Sequence, residues 1–270
     1  IQLKNFQDQF GVPLIEVIGR KVYVTDFGKE IAEAAENIIN QVYAINYKSL
    51  AYKNQLTGRL KIASVSTGKY VMPFFLSGFM RQHVGVELLM DVTNKNKVFE
   101  SLKNNEIDFG LVSFLPSLLD IEKLDLLQDK LYLVGKRETN QKDNITAKKM
   151  FENLPIIFRE PGSGTRQVME RFLQSNNITV LRKMELTSNE AVKQALMAGL
   201  GYSIMPFIGI RKEIVSNELQ IIPVKGLPFK TTWNLIWLKG KKLSPTAATF
   251  LEYLQKNKEQ IVADTFSWHE

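Results

Sequence analysis

Between Asp26 and Leu56 the apolar residues Ala35, Ile38, Val42, Ile45, Tyr52 and Leu56 return in steps of three and four, broken once by Ser49. That spacing is helical, and Thr25 stands where an N-cap belongs. About 30 residues rising 1.5 Å each make a rod about 45 Å long, with one narrow apolar seam. The 25 residues before it are too few to cover such a rod. The seam is therefore expected to pair with a second copy of the chain.

Those leading residues read as a short helix over 1–10 with Leu3, Phe6 and Phe10 on one face, stopped by Gly11. Two β-branched runs follow, 14–17 and 22–24, joined through Ile18-Gly19-Arg20-Lys21. This is a hairpin with a basic tip. Most such tips are merely solvated, yet helix, hairpin and basic tip in this order are the parts of a winged helix.

At this point a resemblance becomes specific. Leu3-Lys4, then Phe10-Gly11-Val12-Pro13-Leu14-Ile15-Glu16, then Gly19-Arg20-Lys21-Val22-Tyr23-Val24-Thr25 and Gly28 resemble the stretch from recognition helix through wing to linker helix in LysR-type transcription regulators. The resemblance implies that about 30 residues, including most of the recognition helix, precede this sequence in the native protein. It leaves Lys4, Arg20 and Lys21 as the candidates for contact with promoter DNA.

From Gly58 the pattern changes. Strands at 60–65, 86–92 and 107–113 alternate with helices at 69–82 and 98–104, an order that predicts a parallel sheet with right-handed crossovers. The order returns with strands at 155–159, 183–187 and 202–205 around helices at 165–174 and 191–198. Extended apolar runs at 131–137 and 233–239 carry the chain across and back, so a final helix over 245–261 should pack on the first lobe. The expected fold is α/β: a two-lobed domain like the periplasmic binding proteins, with two crossover strands, preceded by a partial winged helix-turn-helix and a long linker helix. The expected boundaries are 1–25 for the winged part, 26–57 for the linker, 58–134 with 235–262 for lobe I, and 135–234 for lobe II. Leu200-Gly201-Tyr202-Ser203-Ile204-Met205-Pro206 is similar to the turn into a late strand in LysR effector domains, which extends the resemblance over essentially the whole chain.

Ligands of open α/β sheets sit beyond the carboxyl ends of the strands, where helix starts offer free amides. Hydroxyl and amide side chains recur at those points: Ser66, Thr67 and Gly68 after the first strand, Ser113 and Phe114 after the third, Glu160, Ser163, Gly164, Thr165 and Arg166 after the first strand of the second lobe, and Thr187 and Asn189 after its second. Each alone could be an N-cap; together they mark one effector-binding cleft. Arg166 could hold a ligand anion or pair internally with Glu160 or Glu170. Glu-Pro-Gly-Ser-Gly-Thr-Arg over 160–166 is similar to the LysR regulators of carbon-fixation genes, which implies a small anionic metabolite as effector.

Several functions have no footing. A nucleoside-triphosphate loop would need Gly-Lys-Ser/Thr, absent here. There is no cysteine, and His83 and His269 lie far apart, so no metal site, catalytic triad, cofactor or enzyme activity is expected. The net charge of +7 arises after Gly58, because the first 57 residues hold six basic and six acidic side chains. No apolar run reaches the roughly 20 residues of a membrane span; a cytoplasmic location is expected. The resemblance further implies dimers through the linker helix, tetramers through the effector domains, and RNA polymerase as a further partner. A competing reading is a transporter's solute-binding protein, which shares the two-lobed cleft but has no use for the long helix.

Overall fold

A computed structural model describes residues 2–19, 21–51, 56–137 and 151–269, in two units, Ile1–Gly58 and Arg59–Glu270. In the first, helix α1 (Gln2–Gln7) ends three residues short of the expected Phe10. Turns follow, with Gly11 at φ +65°, left-handed backbone that glycine adopts at little cost. The Gln7 side chain ties the helix to the next element, accepting hydrogen bonds from the amides of Leu14 (2.9 Å) and Ile15 (3.3 Å). Strands β1 (Ile15–Ile18) and β2 (Lys21–Val24) form the antiparallel hairpin, Ile15 opposite Val24. Arg20, at its tip, lies outside the described residues.

Thr25 caps as the sequence predicts. Its Oγ1 accepts from the amide of Gly28 at 2.9 Å while donating to the Pro13 carbonyl at 2.7 Å, so one hydroxyl starts the long helix and holds the hairpin. A Cβ at Gly28 would lie 2.1 Å from the Leu14 carbonyl oxygen, which leaves no room for any other residue. Helix α2 runs Asp26–Ala51. Along its seam Ala35 is partly buried, Ile38 and Val42 are 63% and 53% exposed, and the Ile45 side chain and all of Tyr52 lie outside the described residues. Leu56 is no longer helical; it stands directly before a strand, so the expected seam does not reach it in helical form.

The second unit is built on β3 (Thr57–Val65), β4 (Gly85–Thr93), β5 (Phe109–Val112), β6 (Ile121–Lys136), β7 (Ile156–Arg159), β8 (Lys183–Leu186), β9 (Ser203–Pro206), β10 (Leu219–Ile222) and β11 (Phe229–Leu238). Helices α3 (Met72–Gln82), α4 (Lys95–Lys103), α5 (Gly164–Ser175), α6 (Asn189–Met197), α7 (Arg211–Val215) and α8 (Pro245–Phe266) connect and flank them. The main sheet has the order β10-β6-β11-β5-β3-β4, with β9 also on β6, while β7 and β8 form a separate parallel pair. β3 and β5 are parallel, as the β-α-β-α-β pattern requires.

The crossover strands are longer than the sequence indicates. β6 begins at Ile121, ten residues before the expected Leu131, because Ile121-Glu122-Lys123-Leu124-Asp125 mixes charged and apolar side chains without clean alternation. It pairs antiparallel with β11 from Ile121↔Leu238 to Leu131↔Phe229, then gives its last residues to β9 and β10. The two lobes thus share this ribbon, and the ladder slips register once, at Trp233/Asn234. β10 and α7 had no clear sequence signal.

Buried clusters among the described residues hold the unit. Ala63, Val98, Leu102, Val112 and Ile236 fill the β3–β5 end. Val134, Ile157, Val192, Leu196 and Met205, together with a cluster around Phe158, Val168, Met169 and Phe172, fill the β7–β9 end. Each fully buried side chain of this kind contributes about 1.5–3 kcal/mol. Helix α8 is capped by Ser244, whose hydroxyl accepts from the Ala247 amide, and it packs on α3 through the Phe79–Phe250 ring pair, 5.0 Å between centroids. It ends at Phe266, five residues beyond expectation.

Candidate functional site

The polar ends of the strands converge on one cavity, about 390 Å³ of space between atoms with the solvent at its mouth included. From the β3–β5 end it receives Ser66, Thr67, Thr93, Asn94, Lys95, Ser113 and Phe114; from the β7–α5 end, Arg159, Glu160, Ser163, Gly164 and Thr165.

A 3₁₀ turn, Ser66–Tyr70, opens directly after β3, with Val65 at its N-cap position and no side-chain cap bond there. Gly68 serves packing rather than the cavity, since a Cβ there would fall 1.9 Å from Ser64 Oγ. On the other wall Gly162 takes φ +87°, turning the chain sharply after Pro161. Ser163 then occupies the N-cap position of α5 without a side-chain cap bond, and both Ser163 and Thr165 are buried. Elsewhere such residues do cap: Asn94 accepts from the Lys97 amide and Ser188 from the Ala191 amide. The hydroxyl of Ser163 is therefore not spent on its helix. The first amides of α5 have no intrahelical partner, and the positive end of its dipole faces the same space.

Two cations stand in the walls. Arg159 is 3% exposed; its Nε and Nη2 donate to the two carboxylate oxygens of Glu160 at 2.8 and 2.9 Å, and its Nη1 donates to Asn189 Oδ1 at 2.6 Å. Lys95 opens α4 and donates to Gln167 Oε1 of α5 at 2.9 Å, bridging the walls. Burial, and then the neighbouring Arg171, lower the Lys95 pKa below the ordinary lysine value.

Four predicted residues stand outside the lining. Gly68 is one. Arg166 pairs with Glu170 at 2.7 Å and Glu185 at 2.6 Å and donates to the Arg159 carbonyl at 3.0 Å, so its charge is used within the protein, though not on Glu160. Thr187 is exposed, and Asn189 is buried behind Arg159. Sequence reasoning missed Arg159, Lys95, Thr93 and Asn94. A charged residue closing the otherwise apolar run Ile156-Ile157-Phe158-Arg159 was one available signal. The carboxyl end of the second strand, Thr93-Asn94-Lys95, was another, matching the Thr187-Ser188-Asn189 position in the second copy.

Residues 53–259 match the family model of the LysR substrate binding domain. The chain belongs to the LysR-type transcriptional regulators. Among this family, it is 34% identical to the HTH-type transcriptional activator CmpR of Synechocystis sp. over 96% of this chain and 86% of that protein. It is 32% identical to a RuBisCO operon transcriptional regulator of Acidithiobacillus ferrooxidans, covering 94% and 82%. A solved structure of the Synechocystis CcmR regulatory domain in complex with 2-PG, 33% identical, superposes with a TM-score of 0.70 over 75% of this chain and 98% of that one. The LysR family regulator CbnR, at 22% identity and a TM-score of 0.59 over 94% of this chain and 88% of that one, shares the fold. The regulators among these relatives include those of carbon fixation that the 160–166 segment indicated, and they give the transporter reading no support.

Proposed function

We propose that this LysR-type regulator senses a small anion in the cavity between β3–β5 and β7–α5, and that lobe I spans 58–134 with 235–262 and lobe II 135–234. The carrying observation is chemical. Ser163 and Thr165 are buried at the start of α5 without capping it, beside Lys95 and Arg159. Hydroxyls, helix-start amides and cations together favour an anion. The 2-PG held by the CcmR domain is such an anion, which makes it the first ligand to try.

Closure of the lobes on the ligand would shift the arrangement of paired chains and respace the DNA-reading parts on their half-sites. In this reading residues 1–25 belong to the winged helix, with the exposed Lys4 and Lys21 on phosphates. Residues 26–57 form the dimer through Ile38 and Val42, and effector domains pair into tetramers. Promoter DNA, RNA polymerase and a cytoplasmic setting follow from a regulator's work; no described helix is long and apolar enough to cross a membrane.

The test is thermal unfolding with and without 2-PG. A ligand at 100 times its Kd adds about 2.7 kcal/mol of stability, and the shift should vanish in the Ser66→Ala, Thr165→Ala double variant. An equal shift in that variant would move the ligand elsewhere. Footprints of the full-length protein on promoter DNA should change with the ligand; an unchanged footprint would break the link from cavity to DNA.

A further inference from the structure

The most buried charge of the cavity wall is already occupied. Glu160 takes both donors on one edge of the Arg159 guanidinium, Nε and Nη2, in the two-point geometry by which arginine recognises a carboxylate or phosphate. Asn189 takes Nη1. Five N–H groups make up a guanidinium, so donors remain, but Arg159 is only 3% exposed and offers an incoming ligand almost no open face. Glu160 itself lines the cavity, with its side chain 17% exposed. Of the two groups, the carboxylate lies nearer the route a ligand must take.

A second observation marks the empty arrangement as incompletely satisfied. Asn189 is 2% exposed, and while its Oδ1 accepts from Arg159, its Nδ2 has no hydrogen-bond partner. A buried donor left unmet costs free energy. The cluster Arg159–Glu160–Asn189 is thus tightly held on one side and short of an acceptor on the other.

We propose that Glu160 is a built-in competitor for the anionic effector: it occupies Arg159 when the cavity is empty, and ligand binding exchanges one anion for another on a single buried guanidinium. This rests on the reading of the cavity as the effector site. The exchange conserves charge on Arg159, so the arginine is never left buried without a partner, a state that is strongly destabilising. It also raises the ligand concentration at which the domain responds, because the effector must displace a tethered carboxylate rather than fill a vacant site. Glu160 becomes a residue that sets the threshold of the sensor.

The role predicts a change of unusual sign. Titration calorimetry of 2-PG into the whole chain at fixed ionic strength should show Glu160→Gln binding about tenfold more tightly than wild type, since the competing charge is gone. The same variant without ligand should melt at a lower temperature, with Arg159 left unpaired, and 2-PG should raise its melting temperature by more than it raises that of wild type. If the glutamate merely holds Arg159 in place, the variant binds more weakly, and that result overturns the proposal; so does an unchanged affinity. Glu160→Asp, whose shorter carboxylate cannot hold both donors as well, should tighten binding by a smaller factor. It decides the matter by the same sign should the glutamine variant fail to fold. If wild type itself ignores 2-PG while another anion binds and is lost in the Ser66→Ala, Thr165→Ala variant, the identity of the effector fails and the exchange is tested with that anion. If no anion binds there at all, the reading of the cavity fails first.

Discussion

The two units dispose of their apolar residues in opposite ways. In the first, Leu14 alone among the described hydrophobic side chains is buried, while Val17, Ile18, Val22 and Val24 on the hairpin and Ile38 and Val42 on α2 are more than half exposed. Phe6, Phe10 and Phe27 meet edge to face, at 4.9 and 5.9 Å, and are the nearest thing to a core. In the second, Phe75, Phe79, Phe109, Phe250 and Trp233 are fully enclosed. A body that buries its rings can stand alone. One that displays its β-branched residues is held by hydrogen bonds such as those of Gln7 and Thr25, and its apolar surface suits a partner.

The largest effect should come from the enclosed side. Phe79→Ala removes a ring packed against Phe250, His83 and Tyr253 and should cost about 3–5 kcal/mol in urea unfolding; a loss below 1 kcal/mol would dissolve the contrast. Next comes Asp129, on the shared ribbon, whose carboxyl is pushed up to about 7 by burial against the opposing pull of the Lys130 amide, Trp233 Nε1 and the Ile208 amide. A folded-state value above the unfolded 3.8 means that its contribution is fully present below that value and is lost as pH rises through 7. Thermal unfolding of wild type should therefore weaken from pH 5 to pH 8, and Asp129→Asn should flatten that slope; parallel slopes would mean the carboxyl is not the cause.

Smaller effects belong to the first unit. Thr25→Ala deletes the cap of α2 and the bond to Pro13, and should lower stability by about 1 kcal/mol, read as loss of helical ellipticity at a lower temperature. Val22→Ser, on the exposed hairpin face, should stay within about 0.5 kcal/mol. A larger loss in the isolated chain would show that the hairpin hides more than its exposure suggests.

The second unit's order of elements was legible because strands and helices alternate with distinct periods, and eight of the cavity's residues were legible because small hydroxyls cluster at strand ends: Ser66, Thr67, Ser113, Phe114, Glu160, Ser163, Gly164 and Thr165 all line it. Arg159 was not, because a charge at the end of a strand reads the same whether it points to solvent or is buried against a neighbour. Arg166 looked the better ligand candidate from the sequence, although Glu185, nineteen positions on and in strand β8, claims it. Long-range pairing of that kind leaves no mark in local spacing. The start of β6 was hidden for a similar reason: its partners, residues 229–238, lie a hundred positions on.

That strand also limits which insertions and deletions this chain can take. β6 is bonded to β11 along its first part and to β9 and β10 along its last, so three strands depend on its register. Side chains in a strand alternate between faces, and deleting one residue would turn every later one inside out. The ribbon already absorbs one extra β6 residue at the Trp233/Asn234 slip, so any further change of count within it needs a compensating bulge, whereas the surface connections around it can lengthen freely.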